Sequence, residues 1–125
     1  MARKRGGGDD SGAVVERSLA RLVERLQGSE TLREGTVVLR LSGPAGGDFY
    51  LERSGREVRL VDAAASGLDR EVLLDIRGDA ETVRAIIDGE KDAAKQFFAG
   101  GIRVRGDLRY LSDAALELGL LDRPL

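Results

Sequence analysis

The sequence predicts an α+β fold: a five-stranded, mostly antiparallel sheet with helices packed on one face. Three observations lead there. Five short segments, residues 36–41, 48–53, 57–62, 71–77 and 102–105, alternate apolar and polar residues with the period of a half-buried strand. The first three are separated only by Ser42-Gly43-Pro44-Ala45-Gly46-Gly47 and Ser54-Gly55-Arg56, which are turn-forming stretches, so they form an antiparallel meander. Apolar residues at helical spacing appear before the first strand, between the last two and after the fifth; because each strand is apolar on one side only, those helices gather on that side.

In chain order, residues 1–12 carry Arg3, Lys4, Arg5, glycines and Asp9-Asp10 with nothing to bury, and read as a mobile tail. The basic triplet is alternatively an anchor to an anionic surface, though it is smaller than the clusters of about four to eight that usually serve. Residues 13–125 are expected to form a single domain, since a chain of this size buries roughly two-thirds of its unfolded surface as one core. Val15, Leu19, Leu22, Val23 and Leu26 fall on one helical face opposite Glu16, Arg17, Arg21, Glu24 and Arg25, and Gly28 stands where a left-handed cap belongs. The mixed charges favour packing on the sheet over a membrane-surface helix. Residues 63–69 read as a loop into the fourth strand. Asp79 is placed to cap a helix with Val83, Ile86 and Ile87 on its apolar face and Gly89 at its end. A short helix is expected over about 92–98, broken by Gly100-Gly101, and a last one over 108–121 through Leu111, Ala114 or Ala115, Leu118 and Leu121.

The chain has no histidine and no cysteine. That removes the commonest general base, the thiolate nucleophile, disulfides and the usual zinc ligands together. Acidic groups number 22 and basic groups 20, so no long-range pull on nucleic acid is expected, and no nucleic-acid partner. No apolar run approaches the roughly 20 residues of a membrane span. Glycines and aspartates follow the basic N-terminus where a signal peptide would be apolar, and the final Arg123-Pro124-Leu125 departs from the Ser-Lys-Leu peroxisomal address; the expectation is cytoplasmic.

Alternation assigns Val37, Leu39, Leu41, Phe49, Leu51, Val58, Leu60, Val72, Leu74, Ile76, Ile102 and Val104 to the inner sheet face. It puts Arg40, Glu52, Glu57, Arg59, Asp75, Arg77, Arg103 and Arg105 outside, either as cross-strand ion pairs or as an anion-binding surface. The inner layer is aliphatic, with Phe49, Phe97 and Phe98 the few bulky members; residues alone leave open whether it is packed solid or hollow. Other motifs fail on their own chemistry. Gly43–Gly47 lies between strands, not before a helix as a phosphate loop does. Asp88, Glu90 and Asp92 open like a calcium loop, but Ala93 stands where glycine is required and Ala99 where glutamate is. Asp69 and Glu71 have no cleft around them. No metal or cofactor is expected.

The runs Gly78-Asp79, Ile86-Ile87-Asp88-Gly89-Glu90-Lys91-Asp92 and Phe97-Phe98-Ala99-Gly100-Gly101-Ile102-Arg103-Val104-Arg105-Gly106-Asp107 look like the C-terminal half of sterol-carrier-protein type 2 domains, and Gly55-Arg56-Glu57-Val58-Arg59-Leu60 is similar to that family as well. The resemblance spans roughly residues 36–118. It implies a sheet and helices enclosing an apolar cavity or tunnel for fatty acyl, phospholipid or sterol-like ligands, with the last helix as a lid. Carried over by position, the ligand-binding wall comprises Phe49, Leu51, Ile86, Phe97, Phe98, Ile102, Val104, Leu111, Ala115 and Leu118. Members of that family commonly carry lysines where this chain has Ala99, Arg103 and Arg105. The expectation is a non-enzymatic lipid-binding or lipid-transfer protein, monomeric or weakly dimeric, touching membranes transiently, with Arg103 or Arg105 near a headgroup despite lying on the outer face. The alternative is a protein–protein interaction module with a packed core; an enzyme of unusual chemistry ranks third.

Overall fold

A computed structural model describes residues 7–29, 32–62 and 71–125. The elements follow in the order α1 (Gly7–Leu26), β1 (Gly35–Ser42), β2 (Gly47–Ser54), β3 (Glu57–Asp62), β4 (Val72–Asp79), α2 (Ala80–Ile87), α3 (Ala93–Ala99), β5 (Ile102–Gly106) and α4 (Leu108–Glu117). All five expected strands form, in the spatial order β3-β2-β1-β4-β5. Every pairing is antiparallel except the central one, β1 with β4. The expected loop over 63–69 lies outside the described residues, as do residues 1–6 of the expected tail.

Two helix boundaries differ from expectation. The first helix begins at Gly7, inside the segment assigned to the tail. Once the apolar face of 15–26 is docked, each added turn costs no new nucleation, so the helix runs backward past its apolar residues. The last helix stops at Glu117 rather than Leu121. Gly119, at φ +77°, takes the left-handed conformation, Leu120 N–H donates to the Ala115 carbonyl at 2.8 Å and Gly119 N–H to that of Leu116 at 3.1 Å. This paired closure turns Leu120 back under the helix.

Register sets the faces. Val37 pairs with Leu51 and Leu74, and Leu39 with Phe49 and Ile76, so the apolar sides of β1, β2 and β4 coincide and meet Leu19, Leu22, Val83 and Ile87 of the helices in one core. A bulge interrupts β4: Thr36 pairs with Val72 but Val37 with Leu74, leaving Leu73 over. The shift turns Val72 out, 56% exposed, where alternation had placed it inside, and buries Leu73. Leu73 also explains Gly106. The Asp107 N–H donates to the Leu73 carbonyl at 2.9 Å, so a side chain at position 106, already at φ +119°, would run into that carbonyl oxygen.

Two polar clusters fix α1. Arg53 follows Leu51 on the inner face and is 3% exposed. Its guanidinium donates to the Leu32 carbonyl at 3.0 Å, the Leu26 carbonyl at 3.0 Å and the Ser29 carbonyl. It thereby satisfies the end of α1 and the following turn in one group, which its planar fork permits and a lysine would not. On the other side of α1, Asp88 at the C-terminal cap of α2 accepts from buried Ser18 at 2.9 Å, from Arg21 at 2.7 Å and from Arg84 at 2.7 Å. Burial pushes the Asp88 carboxyl upward, but the bonds from Arg21, Ser18 and Arg84 outweigh it and hold the group below its ordinary value.

Replacing Arg53 with methionine leaves three carbonyls without their donor, and is expected to cost about 3 kcal/mol or more by urea unfolding; Arg53→Lys should recover only part. Because Asp88 is lowered in the folded state, its stabilisation is full above the ordinary carboxylate value of about 4 and is lost as pH falls through the lower folded value. Unfolding midpoints of Asp88→Asn should therefore vary less with pH below about 4 than those of the parent.

Candidate functional site

Between the inner sheet face and the helices lies an apolar pocket of about 150 Å³. Its floor is Val37, Leu39, Leu51, Leu74, Ile76 and Ile102; α1 contributes Leu22 and Leu26, α2 Val83, Ile86 and Ile87, and α4 the stretch Tyr110–Leu111 with Ala114, Ala115 and Leu118. Ala93 and Leu120 complete the wall. The void exists because small residues of α4, Ala114 and Ala115, face the floor where larger ones would fill it.

Six of the ten residues expected at a ligand wall border this pocket: Leu51, Ile86, Ile102, Leu111, Ala115 and Leu118. Four do not. Phe49 packs against the core from the β2–β3 side. Val104, opposite Ile76, sits half-exposed on β5, an edge strand of the sheet among the described residues. Phe97 and Phe98 belong to α3, in which no residue is buried; Phe98 is 73% exposed and meets Phe97 edge to face at 5.3 Å. Of α3 only Ala93 borders the pocket, because the helix lies at the β5 edge of the sheet. Sequence reading also missed Tyr110 and Leu120. Tyr110 was hidden by being polar in an apolar pattern, and Leu120 by lying beyond the turn that reverses the chain.

Tyr110 is the one residue of the pocket wall with a polar side chain. Burial pushes its phenol above the ordinary value, against the positive charges of Arg53 and Arg33, so it is a neutral hydroxyl at physiological pH. It can both donate and accept. Arg103 and Arg105 alternate with Ile102 and Val104 and face away, so the structure does not bring them to the pocket.

The helix that covers the pocket is tied at both ends by arginines. Arg33 pairs with Asp107, the N-terminal cap of α4, at 2.9 Å, and Arg25 donates to the Leu118 carbonyl at its other end. Asp107 also accepts from Tyr110 N–H at 3.0 Å. Beside the pocket, and sharing Leu120 with it, is a surface cleft of about 270 Å³ bordered by Asp92, Ala94, Phe98 and residues 121–125. Among the described residues no cluster of acidic groups could hold a metal ion, and no helix is long and apolar enough to cross a membrane.

No protein-family model matches the sequence, and no curated protein matches it significantly. Solved structures do. A sterol carrier protein 2 from Yarrowia lipolytica, in its apo form, superposes with a TM-score of 0.57 at 17% identity, over 93% of this chain and 92% of that one. A palmitated sterol carrier protein 2-like protein from Aedes aegypti gives 0.57 at 16% identity, over 90% and 95%. A double mutant of the sec-alkyl sulfatase PisA1 gives 0.64 at 17% identity over 86% of this chain, which spans only 16% of that enzyme. At these identities the likeness is one of fold: the chain has the α+β fold of sterol carrier protein 2, in agreement with the resemblance read from its C-terminal half.

Because the two arginine ties act at the ends of α4, Arg25→Gln combined with Arg33→Gln should speed hydrogen exchange of the α4 amides selectively. Protection of β1 and β4 should stay near that of the parent.

Proposed function

We propose that this chain binds and transfers a lipid-like amphiphile, its hydrocarbon part held in the pocket and its polar end at the Tyr110 hydroxyl. The observation that carries the reading is the composition of the wall: hydrocarbon throughout, with one neutral phenol at the side of α4. Such a surface takes up flexible apolar chains, each buried methylene contributing about 0.8 kcal/mol without directional bonds. It offers little to a reaction, so the reading is a carrier and not a catalyst. The opening of about 150 Å³ supports this over a solidly packed interaction module. It is smaller than the roughly 300–1,000 Å³ of typical ligand sites, so a long chain requires α4 to shift, or passage beside Leu120 into the neighbouring cleft. The palmitated structural neighbour shows that this fold accommodates an acyl chain in another protein.

The test is mass spectrometry of organic extracts from the purified protein, with titration by a fluorescent fatty acid. One lipid per chain, or saturable uptake, is expected. Ala114→Phe, which fills the space under α4, should abolish uptake while the protein still melts cooperatively. Tyr110→Phe should weaken binding of a fatty acid several-fold and leave an alkane probe unaffected. An empty protein that takes up neither probe would defeat the proposal.

A further inference from the structure

Two spaces meet at Leu120. The apolar pocket of about 150 Å³ and the neighbouring cleft of about 270 Å³ share this residue and, among the described residues, no other. The backbone sets its position. Gly119, left-handed at φ +77°, reverses the chain after α4, and Leu120 N–H donates to the Ala115 carbonyl at 2.8 Å. Further on, Leu125 N–H donates to the hydroxyl of buried Ser112 at 3.0 Å. The last residues therefore double back on α4 from two anchor points, and the Leu120 side chain packs half-buried against the core.

The pocket alone is short: a void of about this size holds roughly one benzene ring. Tyr110 stands near the start of α4 and Leu120 just past its end, so a chain whose polar end is at the Tyr110 hydroxyl points its tail at Leu120. Beyond that side chain the cleft continues with apolar surface at Ala94, Leu125 and Phe98, the last 73% exposed; Asp92, Asp122 and Arg123 make the rest of its border polar. Adding the cleft's 270 Å³ to the pocket's 150 Å³ gives about 420 Å³, within the roughly 300–1,000 Å³ of typical ligand sites. We infer that Leu120 is the specificity-determining residue for ligand chain length: its isobutyl group is the partition between pocket and cleft and stops the bound hydrocarbon at a short chain. This rests on the carrier reading. Methylenes beyond the partition stay in water and add nothing to affinity, whereas a smaller side chain at this position joins the two spaces and lets them be buried along Ala94 and Phe98.

The experiment is calorimetric titration of the full chain with hexanoate, octanoate, decanoate and dodecanoate, each below its micelle concentration. For the parent, affinity should level off by octanoate. For Leu120→Ala it should keep rising through dodecanoate, by about fourfold for each added methylene, from about 0.8 kcal/mol apiece. Leu120→Val, a smaller truncation of a half-buried residue, should extend the profile less and serves as the test if Leu120→Ala does not melt cooperatively. Ala94→Phe, which fills the cleft but does not touch the pocket, should leave the parent's profile unchanged; in L120A/A94F it should restore the levelling by octanoate. Three results would overturn the assignment: a parent affinity that climbs through dodecanoate, a truncated Leu120 that levels off where the parent does, or a double variant that keeps the extended profile. Binding with one length profile in all variants defeats this assignment alone, whereas no binding of any of the four acids by parent or variants defeats the carrier reading with it.

Discussion

The parallel pairing of β1 with β4 is the constraint on which the rest depends, because it joins two segments that are not neighbours in the chain and places them at the centre of the sheet. Once Leu39 stands beside Ile76 and Val37 beside Leu74, the flanking antiparallel strands have a single apolar face to extend, and the helices have one place to bury theirs. A slip of one residue would exchange Leu39 for Arg40 on that face. The bulge at Leu73 reconciles the pairing with the sequence: it absorbs one residue of β4 and buries it. A side chain at Gly35 would fall 2.6 Å from Leu73 Cγ, and one at Gly106 on the Leu73 carbonyl, so the bulge is hemmed in by two glycines.

Arginines at the rim of the apolar layer fix where the helices sit. Arg53 grips the end of α1 and the turn after it, Arg84 and Arg21 converge on Asp88, and Arg25 and Arg33 tie the two ends of α4. These bonds are directional, so they fix the position of a helix without requiring the space beneath it to be filled. The unfilled space is where Ala114 and Ala115 face the sheet.

The elements themselves were legible in the sequence. Period-two alternation located all five strands, and Asp79, Asp92 and Asp107 stand as helix caps where a short acidic side chain reaches the next free amides. Such signals are local: alternation and capping depend on residues within one turn or one pleat, so they survive without knowledge of the partner. The C-terminal resemblance to sterol-carrier-protein domains was legible for the same reason, since it rests on glycines and an aspartate that shape short turns.

What only the tertiary structure decided depends on distances across the fold. Phe97 and Phe98 looked like core by their chemistry, yet α3 lies at the β5 edge of the sheet, where Phe97 is half-buried and Phe98 exposed. Alternation assigned Arg53 to neither face, yet carbonyls from the end of α1 and the segment after it converge on its guanidinium. Val72 reads as an inward residue until a bulge turns it out. The pocket is decided last of all, because a void is set by the small difference between where α4 is tied and how far its alanines reach. Composition determined that one layer of this protein would be hydrocarbon; only the packing of the helices on the sheet decided which of its residues border the pocket of about 150 Å³.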